Sequence, residues 1–385
     1  MPWQVEDIME KRIQFVAQSF QEGVNFSELC HRFGISRTTG YLWKDRFYEA
    51  GSFTQLNKKS RRPHNTPNRT PEVIEEKVVK CWEKWGEGAK KLRPKLVKQG
   101  VDLPWITIHR ILKQNKKIAA KERSAAAVKR FERERPNELW QMDFKGDYPL
   151  PKGRCYPLSI LDDRTRFLVG AHGLDRQTRE EVQPCLIETF ERYGLPEAIL
   201  SDHGTPWWNV NNGHGLTKLS VFLIQQGIRL YHGRIGHPQT QGKVERFHRT
   251  LNEAVRHRGL PDSLEAWRTF LREFRTMYNE ERPHEALGMV TPAERYTPSP
   301  RPYHPHPPEW EYPPGAPVTR ITPSGWLTYK GCHAFVCEAL AGERVQVEEA
   351  EGLLLIRYRN LYIREIEPAA GKSIPLILDD QSVND

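Results

Sequence analysis

The first 56 residues carry apolar positions at a helical period, interrupted by turn-forming residues. The pattern predicts three helices over residues 5–49, with a short middle helix over residues 27–33. Gly34 allows a tight turn after that helix, and Ser36 is placed to cap the next one. One shared core is expected, made of Leu29, Phe33, Ile35, Leu42 and Trp43.

Two helices joined by a short glycine-containing turn are typical of a helix-turn-helix, whose second helix enters the DNA major groove. Residues 1–56 are therefore interpreted as an all-α helix-turn-helix DNA-binding domain. A plain helical hairpin is the alternative, and Gly40 stands near where a branched apolar residue is usual. The side chains expected to reach bases or phosphates are Arg37, Thr38, Thr39, Tyr41 and Lys44.

A second helical domain is predicted over residues 70–118, where three apolar-periodic segments follow one another. It resembles a helix-turn-helix with the DNA-binding candidate Arg110 on its last helix, although a domain that only packs is the alternative. The turn-rich segment 57–69 is predicted to be a basic linker. The segment 119–136 is predicted to be a basic helical linker, which either contacts phosphates or presents a solvated charged face.

From residue 137 onwards the pattern becomes that of strands. The runs LWQMDF, RCYPLSILD and RFLVGAH are short, apolar and separated by turns, and AILSD and IRLYHG lie between helical segments. The resulting order β-β-β-α-β-α-β-α-α predicts a mixed-sheet α/β domain over residues 137–296.

The C-terminal quarter divides into three predicted parts. Nine prolines over residues 297–317 indicate a stiff, extended linker. Short alternating strands with glycine turns over residues 318–368 predict a small β-barrel of about five strands. Residues 369–385 are expected to be a loose tail, and the chain as a whole is predicted to be multidomain.

Composition points to a polyanionic partner. The chain has 385 residues and a formal net charge of +9, which favours nucleic acid first and an anionic membrane second. The sequence contains no apolar run long enough to span a membrane, so no membrane span is predicted. A cytoplasmic protein is expected. The six cysteines lack paired spacing, so free thiols are predicted, and His31, His64 and Cys81 are too dispersed for a zinc site.

Two aspartates are predicted to meet in the central sheet. Asp143 lies in the middle of its first strand and Asp202 at the end of its fourth, and in a mixed sheet of this order those strands are neighbours. Their like charges are unfavourable unless a cation binds, and Glu245, near the start of a later helix, is the expected third ligand. Carboxylate oxygens suit Mg²⁺ or Mn²⁺. Two such ions per active site can activate water or a 3′-hydroxyl and stabilise the leaving oxygen of a phosphodiester attack.

Four blocks in the same order carry a family resemblance: ELWQMDFKG, SDHGTPW, HPQTQGKVERFHRTL and YNEERPHEALGMVTPAERY. With the three carboxylates, they resemble the DDE-type insertion-sequence transposases of the retroviral-integrase superfamily. The resemblance implies a ribonuclease-H-like fold, metal-dependent nicking at element ends and strand transfer by the freed 3′-hydroxyl. It also implies a bacterial, nucleoid-associated protein that assembles two or more subunits on double-stranded DNA, binding both terminal inverted repeats and target DNA.

Cations around Glu245 are candidates for DNA contacts. Relatives often carry Lys or Arg two turns after this glutamate, where this chain has Asn252. Arg249, one turn after Glu245, is expected to take over that contact, and Lys243 and Arg246 flank the glutamate.

Other residues compete for attention near the site. Asp162 and Asp163 are attributed to the chemistry of a hairpin turn, and Glu253 is too far along its helix to join the triad. Trp207 and Trp208 follow Asp202 in a long loop and are expected either to stack on an unpaired base or to anchor the loop to the core.

The leading hypothesis is a DNA transposase or integrase. A DNA-binding regulator that has lost the chemistry and a nuclease of the same fold that cuts without joining are the alternatives.

Overall fold

The computed structural model describes residues 8–56, 69–117, 132–208, 215–232 and 242–376. Packing divides the chain into two compact units, Met1–Thr70 and Pro71–Asp385. Most of the two predicted basic linkers and the end of the predicted tail lie outside the described residues. Within those residues, no helix is both long enough and apolar enough to span a membrane.

The first unit contains the three predicted helices. They are α1 (Ile8–Ser19), α2 (Phe26–Arg32) and α3 (Arg37–Ala50), followed by a 3-10 turn, Phe53–Leu56. Asn25 caps α2 and the Ser36 hydroxyl accepts the Thr39 amide at the start of α3, as expected of Ser at this position. The core is built around Phe15, Val16, Leu29, Cys30 and Leu56.

Gly40 explains one error in the predicted core of this unit. A Cβ on Gly40 would lie 2.7 Å from Cys30 Sγ and 2.9 Å from the Phe15 ring, so α3 approaches its neighbours closely at that residue. Leu42 is two residues further, about 200° around the helix, and is 47% exposed. The prediction that Leu42 belongs to the core was therefore wrong, whereas Leu29, Phe33, Ile35 and Trp43 do pack in it.

The second unit begins with three further helices, as predicted. They are α4 (Glu72–Trp85), α5 (Ala89–Lys98) and α6 (Trp105–Gln114). Their apolar faces enclose a separate small core that includes Val78, Leu92, Leu96, Ile108 and Ile111.

The central sheet follows in the predicted order, with one additional two-residue strand. The strands are β1 (Trp140–Phe144), β2 (Tyr148–Pro149), β3 (Arg154–Asp162), β4 (Leu168–Leu174), β5 (Ala198–Ser201) and β6 (Arg229–His232). The helices are α7 (Arg179–Tyr193), α8 (Lys218–Gln225), α9 (Gly242–Arg258) and α10 (Leu264–Thr276).

The sheet is mixed. Strand β3 pairs antiparallel with β1 and β4, and β1 then pairs in parallel with β5, and β5 with β6. Helix α7 lies on one face, where Val182, Leu186 and Phe190 join the core of Trp140 and Ile160. Helices α9 and α10 cover the other face, with a core that includes Phe247, Leu251, Trp267, Leu271 and Phe274.

The α4–α6 helices dock onto this second face through a buried charge cluster. Arg282, which follows α10, donates to Glu87 at 2.8 Å, and Lys95 lies 3.0 Å from the other Glu87 oxygen. The imidazole of His257, at the end of α9, lies 2.8 Å from the Glu83 carbonyl oxygen. The helical domain is thus fixed to the sheet domain within this unit.

The proline-rich segment 297–317 is extended, but it is held against the sheet domain rather than spanning open solvent. Arg301 donates to the Pro196 carbonyl at 2.6 Å and to the Gly227 carbonyl at 2.9 Å, and its own carbonyl accepts the Leu195 amide. Tyr303 packs against Phe190. The segment therefore acts as a strap as well as a connection.

The C-terminal strands form an open sheet and a hairpin. The strands are β7 (Val318–Arg320), β8 (Trp326–Tyr329), β9 (Cys332–Phe335), β10 (Arg344–Ala350), β11 (Leu353–Tyr358), β12 (Leu361–Glu367) and β13 (Lys372–Pro375). The five-stranded sheet has the order β13-β12-β11-β10-β7, and β8 pairs with β9. No closed barrel is found among the described strands, so the predicted barrel closure is not confirmed. Instead the apolar face of this sheet packs on Val221 and Ile224 of α8.

Candidate catalytic site

Strand register places the two predicted aspartates side by side. Trp140 pairs with Ile199 and Gln141 with Leu200 in the parallel ladder of β1 and β5. Continuing that register by two residues sets Asp143 opposite Asp202, the first residue after β5. Neighbouring strands are about 4.8 Å apart and residues in register point to the same face, so the two carboxylates share one edge of the sheet.

The electrostatics of Asp143 reflect this arrangement. Burial, repulsion from Asp202 and weaker repulsion from Glu245 raise the pKa of Asp143 to about 7. The Phe144 amide and the Lys145 charge oppose the shift but do not cancel it. The structure thus brings the three predicted carboxylates into one electrostatic cluster in which negative charge is only partly compensated.

Asp202 lies in a short turn at the exposed end of β5. Its Oδ1 accepts the Gly204 amide at 3.0 Å, a contact typical of aspartate at the start of a turn. Behind it, His232 Nδ1 lies 3.2 Å from the Asp202 carbonyl oxygen, and burial lowers the pKa of His232 to about 4. The backbone of Asp202 is therefore supported by a neutral imidazole, whereas its carboxylate faces solvent.

Glu245 is exposed in the first turn of α9. Val244 and Phe247 on either side of it are buried and hold that turn against the sheet. The first turn of a helix carries partial positive charge, which favours a carboxylate there.

His248 lies beside Asp143, although the sequence pattern gave it no role in the site. It lies one turn after Glu245, and its Nδ1 is 3.7 Å from Asp143 Oδ2. Its Nε2 lies 3.2 Å from the hydroxyl oxygen of Ser159, which is the register partner of Asp143 on β3. Burial lowers the pKa of His248 to about 3, so the imidazole is neutral and its approach to Asp143 is not an ion pair. The position of His248 one turn from Glu245 was the only available signal in the sequence.

The two aspartates attributed to a hairpin turn have different roles. Asp162 accepts the Thr165 amide at 2.8 Å and the Asn137 amide at 2.7 Å, which is turn chemistry. Asp163 is different, because it is fully buried and forms an ion pair of 2.6 Å with Lys243 Nζ. For Asp163, turn chemistry alone was therefore an incomplete explanation.

The same ion pair bears on the predicted DNA contact of Lys243. Burial lowers the pKa of Lys243 to about 8, and the neighbouring Asp163 opposes that shift. The ammonium group is turned into the protein in this geometry, which favours a structural role over phosphate binding. The DNA contact of Lys243 stays a prediction.

The paired tryptophans anchor the loop that follows Asp202. Trp207 is 3% exposed and stacks on Phe144 with the ring centroids 5.3 Å apart. Trp208 packs edge-on against His203 and His232. Of the two alternatives raised for these residues, the contacts favour anchoring. Residues 209–214 of the loop lie outside the described residues.

The donor chemistry of the carboxylate cluster fits a hard divalent cation. Asp143, Asp202 and Glu245 are the residues that would hold it, since all three offer carboxylate oxygens and Asp143 carries an unfavourable charge that a cation would relieve. Within the described part of the chain, no three His, Cys, Asp or Glu side chains lie at metal-ligand spacing. The three carboxylates therefore interact electrostatically, but they would have to move closer together to share one ion.

Three family models match the chain. Two are described as Integrase core domain and match residues 133–238 and 226–292, which contain all three carboxylates. The third is described as Helix-turn-helix domain and matches residues 11–64, the region predicted to bind DNA.

Two relatives share sequence similarity with parts of the chain. The uncharacterized 31.7 kDa protein of insertion element IS407 from Burkholderia multivorans is 24% identical over 288 residues, covering 72% of this chain and 92% of its own length. The transposase for transposon Tn552 from Staphylococcus aureus is 26% identical over 141 residues, covering 32% of this chain and 27% of its own length.

Residues 133–292 match the integrase core family, and an insertion-element protein and a transposon transposase are among the relatives of the chain. Its central mixed sheet is the integrase core, and the integrase core family is metal-dependent. Among solved structures, the simian T-cell lymphotropic virus intasome in complex with PP2A regulatory subunit B56 gamma contains a similar chain. It covers 79% of this chain and 100% of its own, at 16% identity and a TM-score of 0.37.

The other predicted DNA-binding residues of this integrase relative lie on helices. Arg37 and Thr38 are exposed at the start of α3, Arg110 is exposed on α6, and Arg246 and Arg249 are exposed on α9. All five stay predictions.

Three further candidates on α3 have intramolecular contacts. Thr39 takes part in the cap, with its hydroxyl 2.9 Å from Ser36 Oγ. Tyr41 packs on Phe26 with ring centroids 4.3 Å apart, and Lys44 donates to the Ser19 carbonyl at 3.2 Å. Their contacts with DNA also stay predictions.

Proposed function

We propose that this protein is a metal-dependent polynucleotidyl transferase that nicks DNA at the 3′ ends of its element and joins the freed 3′-hydroxyl to target DNA. The observation that carries the proposal is the register that sets Asp143 opposite Asp202, with Glu245 close enough to raise the Asp143 pKa. Acids with only a structural role would have a cationic side chain or several hydrogen-bond donors next to them, as Asp163 has.

Asp143, Asp202 and Glu245 would together bind Mg²⁺ or Mn²⁺, and the proposal includes two ions per active site. Two bound ions supply an activated attacking oxygen and a stabilised leaving oxygen in phosphodiester transfer. The residues of the chain orient this chemistry: β1 and β5 hold two acids at a fixed spacing, and the first turn of α9 presents the third. Trp207 stacks on Phe144 and anchors the loop that follows Asp202 to the core.

DNA recognition is assigned to the helices. We expect the first unit to bind the terminal inverted repeats through α3, and Arg246 and Arg249 on the exposed side of α9 to contact phosphates near the carboxylates. Joining two element ends to one target requires two active sites, so a homodimer or higher oligomer is expected on DNA.

The test is an in vitro joining reaction with the full chain, duplex DNA carrying the ends of its own element, and Mg²⁺ or Mn²⁺. Asp143→Ala, Asp202→Ala and Glu245→Ala should each lower joining by about 1,000-fold or more, while end binding by gel shift is retained. Glu253→Ala is the matched control, because Glu253 is an exposed carboxylate two turns further along α9, and it should join at the wild-type rate.

Product analysis separates the alternatives. Joined products in any of the three alanine variants would refute the proposed active site. Nicked but never joined DNA from the wild type would identify a nuclease. Specific binding without any metal-dependent cleavage would identify a DNA-binding regulator.

A further inference from the structure

A buried polar network connects the first turn of α9 with strand β1 and the turn after β3. Asp163 Oδ1 lies 2.6 Å from Lys243 Nζ and accepts a 2.8 Å hydrogen bond from Gln141 Nε2. The other oxygen of Asp163 accepts the Arg133 amide at 2.9 Å. The Gln141 side chain completes the connection, because its Oε1 accepts the Val244 amide at 3.3 Å.

The network is buried and specific in its geometry. Asp163 is 0% exposed and Gln141 1%. The two ends of the Gln141 amide have different partners, a carboxylate and a backbone amide, so the amide can take only one orientation without losing both bonds. The Val244 amide belongs to the first helical turn, where amides have no intrahelical acceptor, and Gln141 supplies one.

The position of the network relative to the carboxylates is its notable property. Gln141 precedes Asp143 by two residues on β1, so both side chains lie on the same face of the strand. Lys243 precedes Glu245 by two residues in the first turn of α9. The network is therefore bonded directly to the elements that carry two of the three proposed metal ligands, Asp143 and Glu245, at two residues from each.

We propose that Gln141, Asp163 and Lys243 are positioning residues that fix Glu245 relative to Asp143. The inference rests on the proposed function, since it concerns the same site. The apolar residues Phe247, Leu251 and Val255 keep α9 on the sheet without the network. The network additionally fixes how the first turn of α9 is rotated about the helix axis and how close it lies to the sheet. Both determine the direction in which the Glu245 carboxylate points.

The test compares Lys243→Met, which removes the charge, and Gln141→Met, which removes the amide bridge, with Lys243→Arg, which keeps the charge. The matched control is Glu87→Gln, because Glu87 also forms buried ion pairs in this unit, with Lys95 and Arg282, but lies in the α4–α6 domain. Three quantities are measured on the full chain: affinity for Mn²⁺ by calorimetry, hydrogen exchange over residues 242–247, and the Mg²⁺ concentration for half-maximal joining.

Loss of a positioning residue behind a metal site typically weakens metal affinity or activity by 10- to 100-fold. We expect Lys243→Met and Gln141→Met to raise the Mn²⁺ dissociation constant and the Mg²⁺ requirement by roughly that factor, with faster exchange at residues 242–247. End binding should be unchanged in Gln141→Met. Lys243→Arg should retain most of the wild-type affinity for Mn²⁺. Glu87→Gln should lower the melting temperature without changing the metal requirement.

Two results would overturn the inference. One is wild-type Mn²⁺ affinity and exchange in both folded methionine variants. The other is a loss of activity that is proportional to the loss of folded protein and is as large in Glu87→Gln as in the two methionine variants. Failure of the proposed function itself has a different signature, because the wild type and Glu87→Gln would then also bind no metal and join no DNA.

Discussion

Two aspartates of the sheet domain, Asp143 on β1 and Asp163 in the turn after β3, have opposite surroundings. Asp163 is completely buried, yet a lysine, a glutamine amide and a backbone amide all donate to its carboxylate. Asp143 keeps 19% of its side chain exposed, yet its charged neighbours include two other carboxylates, and its pKa rises to about 7.

The difference shows that burial alone does not distinguish an acid with hydrogen-bond partners from an acid that lacks them. A buried charge surrounded by donors is a structural solution, since its partners replace the water that it loses. An acid that lies next to other acids has no compensating partners within the chain. A bound cation would supply the missing compensation. Four predictions, from the largest expected effect to the smallest, can break or sharpen this contrast.

The first prediction concerns the stability of matched amide variants. Asp163→Asn leaves the buried Lys243 without its counter-ion and should lower the free energy of unfolding by about 3–5 kcal/mol. Asp143→Asn removes an unfavourable charge and should raise that free energy at pH 8 in the absence of metal. Urea denaturation of both variants measures the effects, and equal destabilisation of the two would end the comparison.

The second prediction is a pH dependence. The folded chain holds the Asp143 proton up to a pKa of about 7, whereas the unfolded chain releases it near 3.8. Between these values the folded state binds more protons, so the free energy of unfolding falls as pH rises. Relative to Asp143→Asn, the wild type should lose roughly 2–4 kcal/mol across this window.

Measuring the difference between the two chains cancels the histidines, which titrate in both. A difference that stays constant from pH 4 to pH 8 would show that neither burial nor Asp202 raises the pKa of Asp143.

The third prediction concerns metal. Mg²⁺ or Mn²⁺ at about 100 times its dissociation constant should raise the free energy of unfolding by about 2.7 kcal/mol at pH 8. The gain should be smaller at pH 5, because protons compete for Asp143, and a chelator should remove it. Thermal denaturation checks this, with Asp143→Asn as the control that should not respond. A gain of the same size in that variant would place the ion elsewhere.

The fourth and smallest effect concerns the neutral support behind Asp143. Ser159→Ala leaves the buried His248 Nε2 without its partner and should lower the free energy of unfolding by about 1 kcal/mol. Calorimetry of the purified variant measures it. A loss as large as that of Asp163→Asn would mean that the two surroundings contribute equally to the fold.

Much of the fold followed from local pattern. The three helices of the first unit, the cap at Ser36, and the order of strands and helices from residue 137 were all predicted, because each depends on residues close together in the chain. The carboxylate triad was also accessible, since strand order and alternation place Asp143 beside Asp202 once the sheet is recognised.

Other features needed the folded chain. Leu42 was assigned to the core because it is apolar, but the close approach at Gly40 turns it outwards. The proline-rich segment is held against the sheet domain because Arg301 donates hydrogen bonds to carbonyl oxygens more than 70 residues away in the sequence. The C-terminal strands pack on α8 in an open sheet, which their alternation alone could not distinguish from a closed one.

The sequence by itself determined which residues could be catalytic, because carboxylates at strand and helix ends keep that character in any fold of this order. The tertiary structure decided how those residues are supported. Lys243 meets Asp163 across 80 positions, and His248 meets Ser159 across 89. Such partners are chosen by helix docking and burial, where a charge must find its counter-ion or leave the core, and no local pattern in the chain encodes that choice.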